Sequence, residues 1–567
     1  MTTHVLEYRL VTTIDELESY KETWSEILER EKNDNPFIEY RWVSTWWTIL
    51  GCEENVEIYV VEHSGEPIAF FPFVHAIRFG GIHQFSFLGQ GLASYMEVIS
   101  EKIWKERVVQ YLLKELTNQY KRVLFLFHGL LESKDTSQIL EKYTLERQLP
   151  HSIFRVVTPY IDFRAIELSD FLKKHKRKFK SIHRREKRLK AYGQLTFQKV
   201  EDGNLDTMFQ LFERRWQKKV DTSGFTKERT RTFIEQLAKQ QDAVLGLQVH
   251  RLQFENIWIG FTVDICCRGR NFCHTMGHEP DFNMFGPGRL IEKENMLQAH
   301  STNLHLYDFG SGYEPYKFEW YTHLDFTRKF IMSTTGIRER LFRNALVLHE
   351  TVLTIVKANR RIVEWKRNTL GEVRYWLTKA TLHEWFSMLK CRVFSGRLFH
   401  IYYLQTKRGH NKSNFHEIYI PSVLEHDKRS ELLIHYFKGY KLYGQTKQEI
   451  AYLRHDQLIH EEAIGFIQEL PPNTTYIKNY ELPNLPIIVG EVQREGRAIC
   501  TSANWFEWRK RKKLSALGFQ KVERVWITQF LKWKKIYRQQ DKWGKYFLKQ
   551  GHTLEHIWHL AILSLLI

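Results

Sequence analysis

The chain has 567 residues, of which 43% are apolar and 26% are charged, so it can form three or four domains with packed cores. Its 13 prolines and 30 glycines are too few for a disordered or fibrous protein. The formal net charge of +18 favours an anionic partner, such as a phosphorylated ligand, a nucleic acid or a lipid surface, without choosing among them.

The cysteines and the N-terminal residues indicate a protein of a reducing compartment. The six cysteines are scattered, and only Cys266 and Cys267 are adjacent, so neither a zinc site nor a disulfide framework is predicted. Residues 1–8 lack the apolar core and basic flank of a signal peptide. No run reaches the ~20 apolar residues that a spanning helix needs. We therefore expect a cytoplasmic protein without a metal ion.

The first part of the chain alternates between helices and short strands. Residues 5–12 read as a strand, and residues 14–31 have helical spacing. A second helix begins at Asn35-Pro36-Phe37 and contains Trp42, Trp46 and Trp47, which we assign to the core. Strands are then predicted at 56–61, 68–74, 84–88, 123–127 and 154–162, with a helix at 104–120.

Lysine and arginine dominate the segment 171–190, within which apolar side chains recur at three- and four-residue steps. This pattern predicts a single basic amphipathic helix. The sequence leaves three interpretations of the basic face open. It is a solvated surface, a contact with nucleic acid or anionic lipid, or a contact with a cofactor phosphate or an anionic acceptor.

The next stretch has an order of elements that is typical of a ligand site. Helices at 205–216 and 226–237 precede strands at 244–251, 256–267 and 271–278. A Gly286-Pro287-Gly288 turn, a helix and a short strand ending at Asp308 follow. A glycine turn exposes unpaired N–H groups at the positive end of the helix, and this predicts a pyrophosphate site.

A block of residues follows this helix: Asp308-Phe309-Gly310, Gly312, Glu314 and Tyr316-Lys317. Together with the turn, the block resembles the GNAT-like acetyltransferase family linked to cellulose and other exopolysaccharide synthesis. The resemblance implies an α/β (α+β) fold of tandem GNAT-like modules, each a mixed twisted sheet flanked by helices, as in Fem-type aminoacyltransferases. It implies modules at 1–165 and 166–335. Only the second module is expected to bind acyl-CoA. The first module lacks a clear Pro-Gly phosphate turn, and Gly89-Gln90-Gly91 is its most similar segment.

The rest of the chain is predicted to form a helical connector at 336–388 and a mixed α/β domain at 389–535. Strands are expected at 393–405, 417–423, 476–480, 487–491 and 499–504, with helices at 429–440 and 457–468. Residues 499–504 and 514–519 resemble the end of a GNAT fold, so this domain is either a divergent third module or an accessory domain. A tail at 536–567 ends in a mostly apolar segment, 556–567, which either docks on the protein or dips into a membrane interface.

Acyl transfer from a thioester to an amine assigns roles to the elements of the second module. Backbone N–H groups of 271–278 would polarise the carbonyl. Asp308, His278 and Glu279 are candidate bases, with turn capping as the alternative for Asp308. Tyr316 would protonate the departing thiolate. The residues expected to hold the pyrophosphate are Met284, Phe285, Gly286, Gly288, Arg289 and Leu290.

The resemblance also implies residues that bind the acceptor. Lys317 would hold an anionic acceptor or the cofactor phosphates, beside Gly310 and Gly312. Arg215 and Trp216 would shape the acceptor pocket.

We therefore predict an N-acyltransferase that moves an acyl group, in the simplest case from acetyl-CoA, to an amine of a sugar, amino acid or cell-envelope precursor. The sequence contains no Gly-x-Ser-x-Gly, Walker or His-Glu-x-x-His motif. Two alternatives stay open: a Fem-type aminoacyltransferase that uses aminoacyl-tRNA, and a non-catalytic scaffold. The expected location is the cytoplasm, with peripheral contact to the inner face of an anionic membrane through 171–190 and 556–567.

Overall fold

The computed structural model of the chain contains two compact units, Met1–Tyr375 and Trp376–Ile567. Each unit is built around its own sheet. The structure describes residues 6–89, 91–201, 204–216, 227–240, 242–302, 304–358, 395–405, 416–424, 429–444, 450–456, 458–461, 466–478, 485–530 and 533–540.

The elements of the first unit follow the alternation of helices and strands that the sequence predicts. Its helices are α1 Ile14–Glu18, α2 Lys21–Arg30, α3 Tyr40–Ile49, α4 Lys102–Tyr120, α5 Asp135–Glu146, α6 Leu168–Lys174, α7 Lys176–Lys190, α8 Asp206–Trp216, α9 Glu228–Lys239, α10 Pro287–Ser301 and α11 Ile337–Ala358. Its strands are β1 Leu6–Val11, β2 Val56–His63, β3 Glu66–Arg78, β4 Ile82–Phe87, β5 Ile99–Ser100, β6 Val123–Leu131, β7 His151–Asp162, β8 Leu195–Lys199, β9 Leu245–Phe254, β10 Ile257–Cys267, β11 Arg270–His278, β12 Leu306–Asp308 and β13 His323–Ser333. Short 3₁₀ helices lie at Pro36–Ile38, Pro280–Phe285 and Pro315–Glu319.

One sheet runs through both halves of the first unit. Its order is β1-β2-β3-β4-β6-β13-β7-β12-β11-β10-β9-β8, with β5 beside β3. The halves exchange strands, because β13 lies between β6 and β7, and β7 lies between β13 and β12. The two halves therefore share their central backbone hydrogen bonds.

The predicted mixed α/β class is confirmed by the strand directions. Most neighbouring strands are antiparallel, but β4 pairs with β6 in parallel, and β11 pairs with β12 in parallel. Parallel neighbours need a crossover connection. Helix α4 lies in the first crossover and α10 in the second. Both halves thus repeat the same strand–helix–strand arrangement within the sheet.

Aromatic side chains fill the core of the first half. Trp24 and Trp42 are fully buried, and Trp46 and Trp47 are nearly so. The Trp24 indole N–H donates to the Ile38 carbonyl at 2.9 Å, which satisfies its one donor. These positions confirm the assignment of the α3 tryptophans to the core.

Two segments predicted as continuous helices are interrupted. The segment 14–31 forms α1 and α2, and the segment 171–190 lies in α6 and α7 with a break at His175. His175 has φ −102° and ψ 16°, and its ring packs against Trp320. The prediction of a single basic helix was wrong. The three- and four-residue spacing of the apolar side chains continues across His175, so the spacing does not reveal a break of one residue.

The second unit has a sheet of order β15-β16-β17-β20-β21-β14-β22-β23 and a separate β18–β19 hairpin. Its strands are β14 Ser395–Leu404, β15 His416–Ile418, β16 Lys441–Gly444, β17 Ile450–Arg454, β18 Leu458–Glu461, β19 Phe466–Glu469, β20 Thr474–Lys478, β21 Ala498–Asn504, β22 Gln520–Phe530 and β23 Trp533–Gln540. Its described helices are Ile420–Leu424, Arg429–Phe437, Leu485–Arg494 and Trp508–Ala516. Strands β20 and β21 pair in parallel around the helix Leu485–Arg494, which repeats the arrangement of the first unit.

Three local predictions for the second unit were wrong. The described residues of the segment 457–468 form β18 and the start of β19, which pair antiparallel, rather than a helix, because strand pairing overrides a weak helix propensity. The expected strand 487–491 lies inside the helix Leu485–Arg494. There the buried residues recur at helical spacing despite the β-branched run: Leu485, Ile488, Val489 and Val492. The expected strand 417–423 ends at Ile418, and a helical turn follows.

The predicted domain boundaries stay predictions. The boundary at 165/166 falls between β7 and α6, within the continuous sheet. Helix α11 accounts for the start of the 336–388 connector, and β23 extends to Gln540. Residues 359–388 and the apolar segment 556–567 lie outside the described residues. Among the described helices, none is long and apolar enough to cross a bilayer.

The exchange of β7 and β13 predicts that the two halves depend on each other for folding. A fragment of residues 1–165 lacks β13 and leaves the facing edges of β6 and β7 unpaired, so we expect no cooperative unfolding and rapid proteolysis. A fragment of residues 1–358, which contains all thirteen strands, is the matched control. The measurements are thermal unfolding by circular dichroism and limited proteolysis. A cooperative, protease-resistant 1–165 fragment would contradict this dependence.

Candidate functional site

The parallel strands β11 and β12 pair only briefly and then separate. Their register contains three residue pairs and ends at Phe272 and Asp308. Strand β11 continues to His278, and its register on β10 shifts around His274. Such a bulge bends a strand and increases its twist. The backbone of residues 273–278 therefore borders a gap beyond the end of β12.

Helix α10 begins beside this gap with an open N-terminus. Gly286 is the N-cap residue, and its φ of 63° and ψ of 56° lie in the left-handed region that favours glycine. Its carbonyl accepts hydrogen bonds from the N–H groups of Arg289 and Leu290, while Pro287 has no N–H to satisfy. No described side chain caps this end. The positive end of the helix can therefore receive an anion.

Basic side chains of α7 lie next to the same turn. A β-carbon added to Gly286 would lie 2.8 Å from the Nη1 atom of Arg185. The guanidinium of Arg188 lies over the Phe285 ring at 5.7 Å. The basic segment thus brings two arginines to the predicted phosphate turn. The sequence pattern left such a contact as one of three interpretations of the basic face.

The other predicted pyrophosphate residues differ in exposure. Phe285 and Leu290 are buried and support the turn by packing, whereas Met284 is exposed. Arg289 forms a bidentate ion pair with Glu319, and both N–O distances are 2.7 Å. Its charge is therefore shared with a neighbouring carboxylate.

Two of the candidate bases have structural partners. The His278 Nε2 atom lies 3.0 Å from the Asn283 amide oxygen, within the turn. A β-carbon on Gly288 would lie 3.3 Å from His278 Nδ1, so the imidazole closely covers this glycine. Glu279 is buried and pairs with Arg214 at 3.1 Å. These contacts favour supporting roles for both residues.

Asp308 lies at the point of strand separation and is 1% exposed. Its carboxylate accepts hydrogen bonds from the Tyr95 hydroxyl at 2.8 Å, the Arg270 guanidinium at 2.7 Å and the Gly310 N–H at 2.8 Å. Burial raises the pKa of Asp308, and the Arg270 charge opposes that rise. A base must reach the proton that it takes. These contacts therefore favour the turn-capping role over the general-base role.

The same network joins the two halves of the first unit. Arg270 Nε donates to Asp34 at 3.0 Å, and Lys134 lies 3.7 Å from the other oxygen of Asp34. Tyr95 reaches Asp308 from the segment between β4 and β5. Five side chains that are distant in sequence therefore meet where β11 and β12 part.

In the first half, the chain itself covers the corresponding place beside β6. The Met96 N–H donates to the Gly129 carbonyl at 3.1 Å. A β-carbon on Gly129 would lie 2.6 Å from the Ser94 carbonyl oxygen. The segment that carries Tyr95 thus packs against the end of β6. The expectation that the first half does not bind acyl-CoA stays a prediction.

The residues after Asp308 form a tightly bonded turn. Lys317 is 6% exposed, and its ammonium donates to the Ser311 carbonyl at 2.8 Å and pairs with Glu314 at 3.1 Å. Gly310 and Gly312 have φ values of 72° and 139°, which disfavour other residues. The substrate-binding roles of Lys317, Gly310 and Gly312 remain predictions, since the contacts and backbone angles of the turn are sufficient to explain why these residue types are found there.

Tyr316 is the predicted catalytic residue with the most accessible side chain. The residue is 36% exposed, although its hydroxyl end is enclosed. Burial raises the pKa of this phenol, and the Cys273 thiol and the Glu314 and Glu292 carboxyls add to the rise. A phenol with a raised pKa stays protonated and donates a hydrogen bond. Full proton transfer to a thiolate is correspondingly harder.

Sequence reasoning missed Glu292, which is 2% exposed on α10. The Trp320 indole N–H donates to Glu292 Oε2 at 2.8 Å, while Oε1 has no hydrogen-bond partner among the described residues. Burial raises the pKa of Glu292 to about 8. A glutamate in a helix is usually exposed. The sequence feature that could have indicated its burial is its spacing of three and seven residues from Asn295 and Ala299, which lie on the buried face of α10.

The predicted acceptor residues lie at the end of α8. Arg215 donates to the Met276 carbonyl at 3.2 Å, and so contacts the part of β11 that borders the gap. The backbone of Trp216 ends the helix, but its side chain lies outside the described part of the structure. The structure therefore brings Arg215 to the gap and leaves the role of Trp216 as a prediction.

Residues 176–318 match the family model described as acetyltransferase (GNAT) domain. No curated protein matches the sequence.

Several solved structures align with more than half of the chain at low sequence identity. A conserved protein of unknown function from Bacteroides thetaiotaomicron is 11% identical, with 58% of this chain and 99% of that chain aligned at a TM-score of 0.40. FemX is 10% identical, with 57% and 96% aligned at 0.38. A tandem GNAT protein from the clavulanic acid biosynthesis pathway is 9% identical, with 58% and 98% aligned at 0.37.

The raised pKa of Glu292 makes stability depend on pH. Its ordinary pKa of 4.5 applies to the unfolded chain, so between about 4.5 and about 8 the folded state binds the extra proton. Wild-type stability should fall over this interval by about 1.4 kcal/mol per pH unit relative to Glu292→Gln, which carries no such charge. Thermal unfolding at several pH values measures this difference. Glu294→Gln, on the same helix, is the control.

We expect the melting temperature of Glu292→Gln to rise above that of the wild type as the pH increases, and the difference to level off above about pH 8. Parallel curves for wild type and variant would mean that Glu292 ionises normally in the folded protein.

Proposed function

We propose that the chain is an acyl-CoA-dependent N-acyltransferase, with acetyl as the simplest acyl group. The observation that carries this proposal is the separation of β11 from β12 beside the open N-terminus of α10. An extended thioester fits along the backbone of 273–278 while its pyrophosphate lies at the helix end. The match of 176–318 to a GNAT acetyltransferase domain supports this arrangement.

The residues of the chain supply binding, polarisation and a hydrogen-bond donor. Arg185 and the α10 N-terminus would hold the phosphates. Backbone N–H groups of 273–278 would donate to the carbonyl oxygen as negative charge develops on it. The amine nitrogen then bonds to the carbonyl carbon, and the carbon–sulfur bond breaks. Tyr316 would donate a hydrogen bond to the departing sulfur, which finally gains the proton that the amine loses.

The acceptor that we propose is an amine on a sugar, an amino acid or a cell-envelope or exopolysaccharide precursor. Arg215 lies at the border of the gap, where a planar guanidinium would suit an anionic group on such a precursor. The carboxyl of Glu292 lies close enough to Tyr316 to affect its pKa. A neutral acceptor amine bound beside Glu292 would donate an N–H to its unpartnered oxygen Oε1, and its lone pair would stay available to attack the carbonyl carbon.

The exposed basic face of α7 supports a second candidate, aminoacyl transfer from an aminoacyl-tRNA. Arg177, Lys180, Arg184 and Lys187 are exposed along this helix. A phosphate-backbone contact on this face would weaken steeply with added salt. A non-catalytic scaffold, the third candidate, would need neither the gap nor the open helix end.

The variant Gly288→Glu tests the cofactor site directly. A carboxylate at this position would occupy the anion site and repel a pyrophosphate, so acetyl-CoA should bind roughly a hundredfold more weakly, or about 2.7 kcal/mol. Gly246→Glu is the matched control, because a β-carbon on Gly246 has no atom within 4 Å. Isothermal titration calorimetry with acetyl-CoA measures both variants. Release of free thiol in the presence of candidate amines then identifies the acceptor.

Unchanged acetyl-CoA affinity in Gly288→Glu would move the cofactor site away from α10. Absence of acetyl-CoA binding by the wild type, together with salt-sensitive binding of aminoacyl-tRNA, would favour the second candidate.

A further inference from the structure

An unusual group of aromatic side chains projects from the second unit where β21 ends. Trp505, Phe506 and Trp508 are 56%, 60% and 61% exposed. The rings of Trp505 and Phe506 lie 6.3 Å apart. Large aromatic residues are normally buried, and a cluster of exposed ones marks an interaction site.

The sheet extends this group by two more aromatic residues. The Trp505 N–H donates to the Leu398 carbonyl at 2.9 Å, and Leu398 is in register with Trp526, which is in register with Tyr537. Residues directly opposite each other on neighbouring strands lie on the same face. Trp526 and Tyr537 are 54% and 47% exposed, with ring centroids 6.1 Å apart. We call the five residues the aromatic patch: Trp505, Phe506, Trp508, Trp526 and Tyr537.

A run of five basic residues, 509–513, follows Trp508 in the helix Trp508–Ala516. The run begins in the first turn, which contains no acidic residue. Cations at a helix N-terminus oppose the helix dipole, so Arg509 and Lys510 at the start of the run are unfavourable for their own helix, whereas Lys513 lies in its last turn. Arg509 and Lys512 are exposed, and Arg509 lies over the Trp508 ring at 5.3 Å. At least one charge of the run therefore contacts the aromatic patch, and the others follow it along the same helix.

We infer that the aromatic patch and the 509–513 run form a docking surface for an anionic lipid bilayer. Tryptophan and tyrosine prefer the headgroup region of a bilayer, and phenylalanine the acyl chains just below it. Lysine and arginine beside such residues attract anionic headgroups. The apolar ring of Phe506 at the tip of the turn suits hydrocarbon. A nucleic acid would instead need stacking rings along a groove.

This surface differs from the two that the sequence indicated, the basic face of α7 and the apolar segment 556–567. It lies wholly in the second unit and does not depend on acyl transfer by the first. A bilayer contact there would keep the enzyme at a surface where envelope precursors are available.

The test is co-sedimentation of the full chain with vesicles of phosphatidylcholine mixed with phosphatidylserine, or of phosphatidylcholine alone. We expect binding to the mixed vesicles and much weaker binding to the neutral ones. The double variant Phe506→Ala/Trp508→Ala should bind at least tenfold more weakly. Arg509→Gln/Lys512→Gln should lose about fivefold for each charge. Phe79→Ala, which removes a 95% exposed aromatic from the first unit, should bind like the wild type.

Two further experiments distinguish this surface from the apolar segment 556–567 and from a nucleic-acid site. A chain ending at Gln540 removes the apolar segment 556–567 and should keep its affinity for the mixed vesicles. A labelled single-stranded oligonucleotide should not compete with the vesicles. The proposal is overturned if the wild type does not bind mixed vesicles or if the patch variants bind as well as the wild type. It is also overturned if truncation alone abolishes binding, or if the oligonucleotide binds through the patch and the vesicles do not.

Discussion

The buried ion pair between Arg270 and Asp308 is the interaction on which the architecture of the first unit depends. It lies where β11 and β12 separate, and Tyr95 and Asp34 attach it to the other half of the sheet. Removing one partner of a buried pair typically costs about 3–5 kcal/mol, because the other charge stays buried. The network therefore fixes both the end of β12 and the position of the gap.

The gap and the open helix end follow from this constraint. Because β12 stops at Asp308, the backbone of 273–278 loses a neighbour in the sheet. His278 at the end of this stretch lies against Gly288 at the start of α10, and α7 brings Arg185 to Gly286 of the same turn. Two further polar groups interact with Cys273 at the start of this stretch: the Tyr316 phenol and the buried Glu292 carboxyl, each with a raised pKa. An extended, phosphorylated thioester is the type of ligand that such a site suits.

Local sequence patterns were sufficient for the strand–turn–helix–strand order and for the Gly286 turn, because glycine and helical spacing report directly on the backbone. They were insufficient for the roles of Asp308 and Lys317. Asp308 accepts hydrogen bonds from Tyr95 and Arg270, which are far away in the sequence, and Lys317 donates to a backbone carbonyl group. The exchange of β7 and β13 and the burial of Glu292 were equally inaccessible. Each depends on contacts between distant segments, on which periodicity carries no information.

In the complex that we propose, acyl-CoA lies in the gap between β11 and β12 with its phosphates at the start of α10. Amide hydrogen exchange with and without acetyl-CoA, followed by mass spectrometry, is the measurement that reports on this position. We expect slower exchange in peptides that cover 273–292 and 306–320, and little change in the second unit. Unchanged exchange in these peptides, with protection at 485–504 instead, would contradict it.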